Sequence, residues 1–224
     1  MSMLREAGAV LFKDLLIELR TREVLYSMGL FSVLTVMIFT FAFAVRDEAL
    51  AEVAPGVPWV AITFAGTLGL ARSFSREQEA DCLTGLLVSP ASRGSLFLGK
   101  AAANFLFILA MEALLVPLCA LMFNLDFGAA PWTQLALFLL GTLGFVSVGT
   151  LLSTMLLNSR LRDLMLPLVF YPIVIPVVIA GVKGTAAVLA GETDVAVEWL
   201  GMLCAFDAIF VTISFWAFGW VVEE

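Results

Sequence analysis

Apolar residues run through this chain in long blocks separated by short charged stretches, and most of the blocks are of membrane length. About 20 apolar residues in a helix cross a bilayer, and six blocks come near that length: Val24–Val45, Ala54–Ala71, Leu96–Phe123, Trp132–Leu157, Leu164–Val182 and Trp199–Val222. Ahead of them, Met1–Glu23 is charged throughout. Wound as a helix it gathers Leu4, Leu11, Phe12, Leu15 and Leu19 on one side and Glu6, Lys13 and Arg20 on the other, with Val10 and Ile17 blurring the pattern. It lacks the short basic start and compact apolar core of a secretory signal. The pattern predicts an all-α integral membrane protein: six transmembrane helices preceded by an amphipathic helix lying flat at the interface.

The longest polar interruption, Arg72–Lys100, lies between the second and third blocks. It opens with Arg72, Arg76, Glu77, Glu79 and Asp81; Leu83, Leu86 and Leu87 then recur at helical spacing, opposite Glu77, Asp81 and Thr84. Ser89-Pro90 ends this short helix, because proline disfavours the helical conformation in the residue before it. The leucines of such a helix have two places to go, the lipid headgroup layer or a groove on a soluble partner. A plain connector is the third reading.

Composition agrees with the membrane assignment. Hydrophobic residues make up 62% and charged residues 14%, against roughly 45–50% and 25% in an ordinary soluble domain. The net charge of −7 argues against nucleic acid, but in a membrane protein the side each cation occupies matters more. With the N-terminus in the cytosol, Arg5, Lys13, Arg20, Arg22, Arg72, Arg76, Arg93, Lys100, Arg160 and Arg162 fall inside, and only Arg46 and Lys183 of the 12 Lys and Arg fall outside. That bias puts both termini and the Arg72–Lys100 loop in the cytosol. Outside, Lys183–Glu198 holds a weakly apolar run, Thr185–Ala190, expected as a short helix on or in the outer leaflet. Nothing divides the chain into more than one domain.

The chemistry is sparse. There is no histidine, which removes His-based acid–base catalysis and the commonest zinc and haem ligand. Cys82, Cys119 and Cys204 are scattered and form no CxxC. No phosphate-binding GxxxxGK[ST] loop occurs, so nucleotide energy would have to come from another chain. Gly141, Gly144 and Gly149, like Ala65 and Gly69, read as close-approach surfaces between helices. Trp59, behind Pro55 and Pro58, reads as an interfacial anchor.

Polar residues inside the blocks are the candidates for function. Glu112 and Asp207 would cost on the order of 2.5–3.5 kcal/mol each facing lipid at mid-membrane. Each should face the bundle interior or a wet cavity, or stay protonated. They read either as lining a translocation path or as fixing helix packing, with Asn104 as a candidate partner of Glu112. Pro167, Pro172 and Pro176 interrupt backbone pairing in the fifth block and predict a kinked helix packed inward.

The stretch APGVPWVAITFAGTLGLARSF, the acidic cluster and LLVSP after it, LGKAAANFLF, LGTLGFVSVGTLLSTMLLNSR and LPLVFYPIVIPVVIAG together resemble the CcmB family, over roughly residues 50–185. Its members are permease subunits of the haem-exporter ABC complex of cytochrome c maturation. One departure stands out. Where the family's loop reads Gly-Ser/Thr-Leu-Glu, this chain has Asp81, Cys82, Leu83 and Thr84, and only Leu83 matches. The resemblance implies one ABC-2-like permease domain over 1–224, with 1–23 as the interfacial helix and 72–95 as a cytosolic coupling loop.

The resemblance further implies a non-catalytic subunit in the bacterial inner membrane that couples ATP hydrolysis elsewhere to haem export or release of a haem-loaded chaperone. ATP sits on a CcmA-like ATPase subunit, met through Arg76, Glu77, Asp81, Leu83, Leu86 and Leu87. A CcmC-like membrane subunit handles haem beside a small CcmD-like subunit, and this chain binds neither cofactor itself. A second copy of the chain completes a transporter. The rival readings are an exporter for a lipid-linked or drug-like cargo, a coupling scaffold that transports nothing, and an intramembrane enzyme pairing Glu112 with Asp207.

Overall fold

The structure is a computed structural model that describes residues 3–43, 52–79, 92–126, 128, 130–156 and 162–221, without the side chains of 74–79, 162–163 and 219–221. Its long helices are α1 (Met3–Thr21), α2 (Glu23–Phe43), α3 (Val57–Glu79), α4 (Arg93–Phe123), α5 (Pro131–Met155), α6 (Arg162–Leu189) and α7 (Thr193–Val221). Five of them, α2 and α4 to α7, are long and apolar enough to cross a membrane. The chain is an all-α, multi-pass membrane protein.

Helix α3, which holds the second expected span, is less apolar than those five. Its position explains this: α2, α4, α5 and α6 all pack against it, and it presents Ala61, Ala65, Gly66 and Gly69 to them. A helix walled in by neighbours gains from small residues that allow close approach and has less need of long aliphatic side chains facing lipid.

Local chemistry sets the boundaries. The Ser92 hydroxyl caps α4 by accepting from the Ser95 N–H at 3.3 Å, and left-handed Asn124 (φ 52°) ends it, the usual device for a helix C-terminus. Pro131 opens α5, where its missing N–H has no helical role. Arg22 (φ 53°) breaks α1 from α2, and Gly191 (φ 78°) turns α6 into α7. The expected separate helix at Thr185–Ala190 is therefore a continuation: α6 runs to Leu189 and a short turn leads directly into Thr193. Thr185 is pulled inward rather than laid on the leaflet, because its hydroxyl is bonded in the core.

α5 is the central post, packed on α4, α6 and α7 and touching α3. Its glycines are the close-approach points the sequence suggested. Gly141 faces the Trp59 ring, Gly144 faces Phe206 and Asp207, and Gly149 faces Leu70 and Phe170. α6 runs unbroken through its three prolines, burying Leu166, Phe170, Val174, Val177 and Ala180 while Pro172 points outward.

Candidate functional site

α1 is held by polar groups. Its buried line is Ala7, Val10, Asp14 and Glu18, spaced at three and four residues and so on one face, packed on α4. The side expected to be its anchoring face splits. Leu11 and Leu15 reach the core, but Leu4 (78% exposed), Phe12 and Leu19 point away from the bundle. In a lipid-facing protein the apolar residues are at home outside, and small or polar ones serve the helix contact.

Three carboxylates fix this face. Lys100 Nζ meets Asp14 Oδ2 at 2.9 Å with both side chains nearly buried, and Lys13 meets the other oxygen at 3.0 Å. The Ser92 N–H and the Ser95 hydroxyl both donate to Glu6 Oε2 at 3.0 Å. The Leu25 N–H donates to Glu18 Oε1 at 2.9 Å, tying α1 to α2. The Ser92 N–H lowers the pKa of Glu6 most, the Ser95 hydroxyl adding to it, since a bond to the charged form favours that form. Gly99 leaves room for the Ala7 carbonyl and Val10 to come close.

Both ends of the Arg72–Lys100 loop are thereby strapped to the α1–α2 unit. Arg72 pairs with Glu23 at 2.8 Å on the exposed surface, and Ser92 and Ser95 are held by Glu6. Within the loop, Asp81, Leu83, Leu86 and Leu87 lie outside the described residues; Arg76 and Glu77 lie on α3, and their side chains lie outside them too.

In the bundle, α4 and α5 run antiparallel and are joined by two polar rungs about two turns apart. Asn104 Nδ2 donates to Thr150 Oγ1 at 3.1 Å, and the Thr142 hydroxyl donates to the Glu112 carboxyl. Asn104 is thus not the partner of Glu112, because each is matched to its own threonine across the helix pair. Glu112 also lines a half-open cleft of about 380 Å³ between α4 and α5, walled mainly by Leu109, Val116, Pro117, Leu135 and Phe138, with Gln134 as its other polar side chain.

Trp59 faces the bundle interior and not lipid. It is 2% exposed, slotted against Gly141 and Gly181 and stacked on Phe138 at 5.3 Å. Its indole N–H donates to Thr185 Oγ1 at 3.0 Å, which also takes the Gln134 side-chain N–H at 3.1 Å. Those bonds answer the polar cost of burying an indole. The two prolines ahead of it in sequence suggested a membrane rim; nothing local marks the glycine slot, made by residues far along the chain.

Asp207 is 5% exposed and lies against Gly144, with no hydrogen-bond partner for either oxygen among the described residues. Thr142, which holds Glu112, and Gly144, which faces Asp207, are two positions apart on α5, about 200° round the helix. The two acids therefore approach α5 from opposite sides. That arrangement does not suit the paired acids of an intramembrane enzyme.

Sequence reasoning passed over Asp14, Glu18, Gln134, Thr142 and Thr185. The signal for the first two was available: with Ala7 and Val10 they form a single helical stripe. The others are polar residues within apolar runs, and their partners lie on other helices.

Comparison with known proteins places the whole chain. The family described as "CcmB protein" matches residues 5–224. The heme exporter protein B of Rhodobacter capsulatus is 28% identical over 207 residues, covering 92% of this chain and 93% of that protein. The heme exporter protein B of Bradyrhizobium diazoefficiens is 25% identical over 92% of each chain. The protein of that name from Paracoccus denitrificans is 27% identical over 82% of this chain and 84% of its own. With the match running across every helix described above, this chain belongs to the CcmB protein family.

Proposed function

We propose that the chain is the membrane permease subunit of a multi-chain, ATP-driven exporter that serves haem delivery in cytochrome c maturation. The observation that carries this reading is the family match across residues 5–224, joined by relatives named heme exporter protein B along nearly their full length. Six spans, with α3 as the second, leave both termini on the cytosolic side of a bacterial inner membrane. α1 lies at the interface with Leu4, Phe12 and Leu19 toward lipid.

The coupling element is the loop around 72–95, which meets a separate ATPase subunit. The strapping of Arg72 to Glu23 and of Ser92 and Ser95 to Glu6 supports this reading. A push on the loop passes into α1 and α2 together and, through Asp14–Lys100, into α4. A haem-handling membrane subunit, a small accessory subunit and a second copy of this chain complete the assembly. Haem is handled by the complex and ATP by the partner.

Affinity purification of the tagged chain in mild detergent tests the proposal. An ATPase and a haem-containing membrane subunit should come with it, and recovery of the chain with neither would contradict it.

A further inference from the structure

Among the described residues the cleft between α4 and α5 is apolar apart from Glu112 and Gln134, with no Lys or Arg lining it. Its volume, about 380 Å³, lies within the roughly 300–1,000 Å³ usual for small-ligand pockets. Both polar residues hold an acceptor oxygen without a bonding partner among the described residues. One Glu112 oxygen takes the Thr142 hydroxyl, which leaves the other. Gln134 is 3% exposed, and its amide N–H is spent on Thr185. Its Oε1 is buried with no partner among the described residues. A buried acceptor left bare is costly, and an acid in an apolar wall either stays protonated or takes a counter-charge.

Spacing gives the shape of what would answer both. Thr142 and Gln134 are two turns apart on α5, so the two acceptors are separated by about 12 Å along the helix at 1.5 Å per residue. Glu112 lies about 16 Å along α4 from its end at Phe123 by the same rise. That is deep for a phospholipid headgroup held at the membrane surface. We propose that this cleft binds a free aliphatic amine, its ammonium at Glu112, its chain along Val116, Phe138 and Leu135, and a second hydrogen-bond donor at its far end on Gln134. This goes beyond the haem-export reading and does not depend on it.

The test uses the purified full chain in phosphatidylcholine nanodiscs and an octylamine carrying a photoreactive diazirine in mid-chain, with labelled positions mapped by peptide mass spectrometry. Label should concentrate on segments 109–117 and 131–139. Octylamine should displace it at a concentration about tenfold or more below that needed for octanol, as expected when one bond becomes charge-assisted. The compound 8-amino-1-octanol should compete better than octylamine. Glu112→Gln should bring octylamine and octanol together, and Gln134→Leu should remove the advantage of the amino alcohol. Leu135→Trp, which fills the cleft from its half-exposed wall, should abolish labelling of both segments. Equal competition by octanol and octylamine overturns the proposal. So does an amine preference that survives Glu112→Gln, or labelling that persists in Leu135→Trp.

Discussion

The indole N–H of Trp59 donates to the hydroxyl of Thr185, 126 positions along the chain, at 3.0 Å. This contact joins α3 to the C-terminal half of α6, and Gly141 and Gly181 both lie close against the ring. Trp59→Ala should cost about 3–5 kcal/mol, as other large buried aromatics do. Thr185→Val keeps the shape but strands two buried donors, at about 1–3 kcal/mol for each. Gly181→Ala places a methyl group against the indole and should cost about 1–3 kcal/mol by overpacking. Thermal unfolding in detergent should place all three below the wild type, with Gly181→Ala nearest to it.

The Asp14–Lys100 pair makes a different prediction, because the cost lies in breaking it and not in lacking it. Removing one member of a buried pair typically costs about 3–5 kcal/mol, while replacing both with apolar residues is often neutral. Lys13 also bonds Asp14, so Lys100→Met should fall toward the lower end of that range. The double variant Asp14→Leu with Lys100→Met should recover most of the loss. Unfolding midpoints of the single and double variants check this.

Glu6 gives a pH dependence of definite sign. Its folded pKa is lowered, chiefly by the Ser92 N–H and then by the Ser95 hydroxyl. Its contribution is therefore present above the unfolded glutamate value of about 4.3 and is lost as pH falls through the lowered folded value. A spin-label pair on α1 and the start of α4 should report tighter docking at pH 6 than at pH 3. Glu6→Gln should remove that part of the change.

What the sequence disclosed divides along physical lines. Blocks of membrane length foretold the long helices, because crossing lipid demands length and apolarity of each helix separately. The glycines of α5 were readable because their absent side chains matter to whatever packs there. The burial of Trp59 was not readable because its slot is built from Gly141 and Gly181, which only the fold brings to it. The face of α1 was misread for a related reason: leucine marks the core in water, but Leu4 and Leu19 mark the outside here. Glu112 was readable as an acid that must turn away from lipid, and it lies in the wall of a cleft. Its partner was not readable, because Thr142 carries no sign of its role within an apolar run.

Sidedness is open to direct labelling. With the α6–α7 turn on the outside, a single cysteine at Glu192 should react with a membrane-impermeant maleimide in intact cells. Cys82 should stay protected until the membrane is opened. Labelling of Cys82 from outside would reverse the assigned topology.

Haem delivery itself can be measured. In cells relying on c-type cytochromes, removal of this chain should bring haem-stained holocytochrome c down to background while the apoprotein is still made and secreted. The wild-type chain should restore it, and Leu83→Ala with Leu87→Ala at equal membrane level should restore it poorly. Holocytochrome c at the normal level in cells lacking the chain would contradict the central claim.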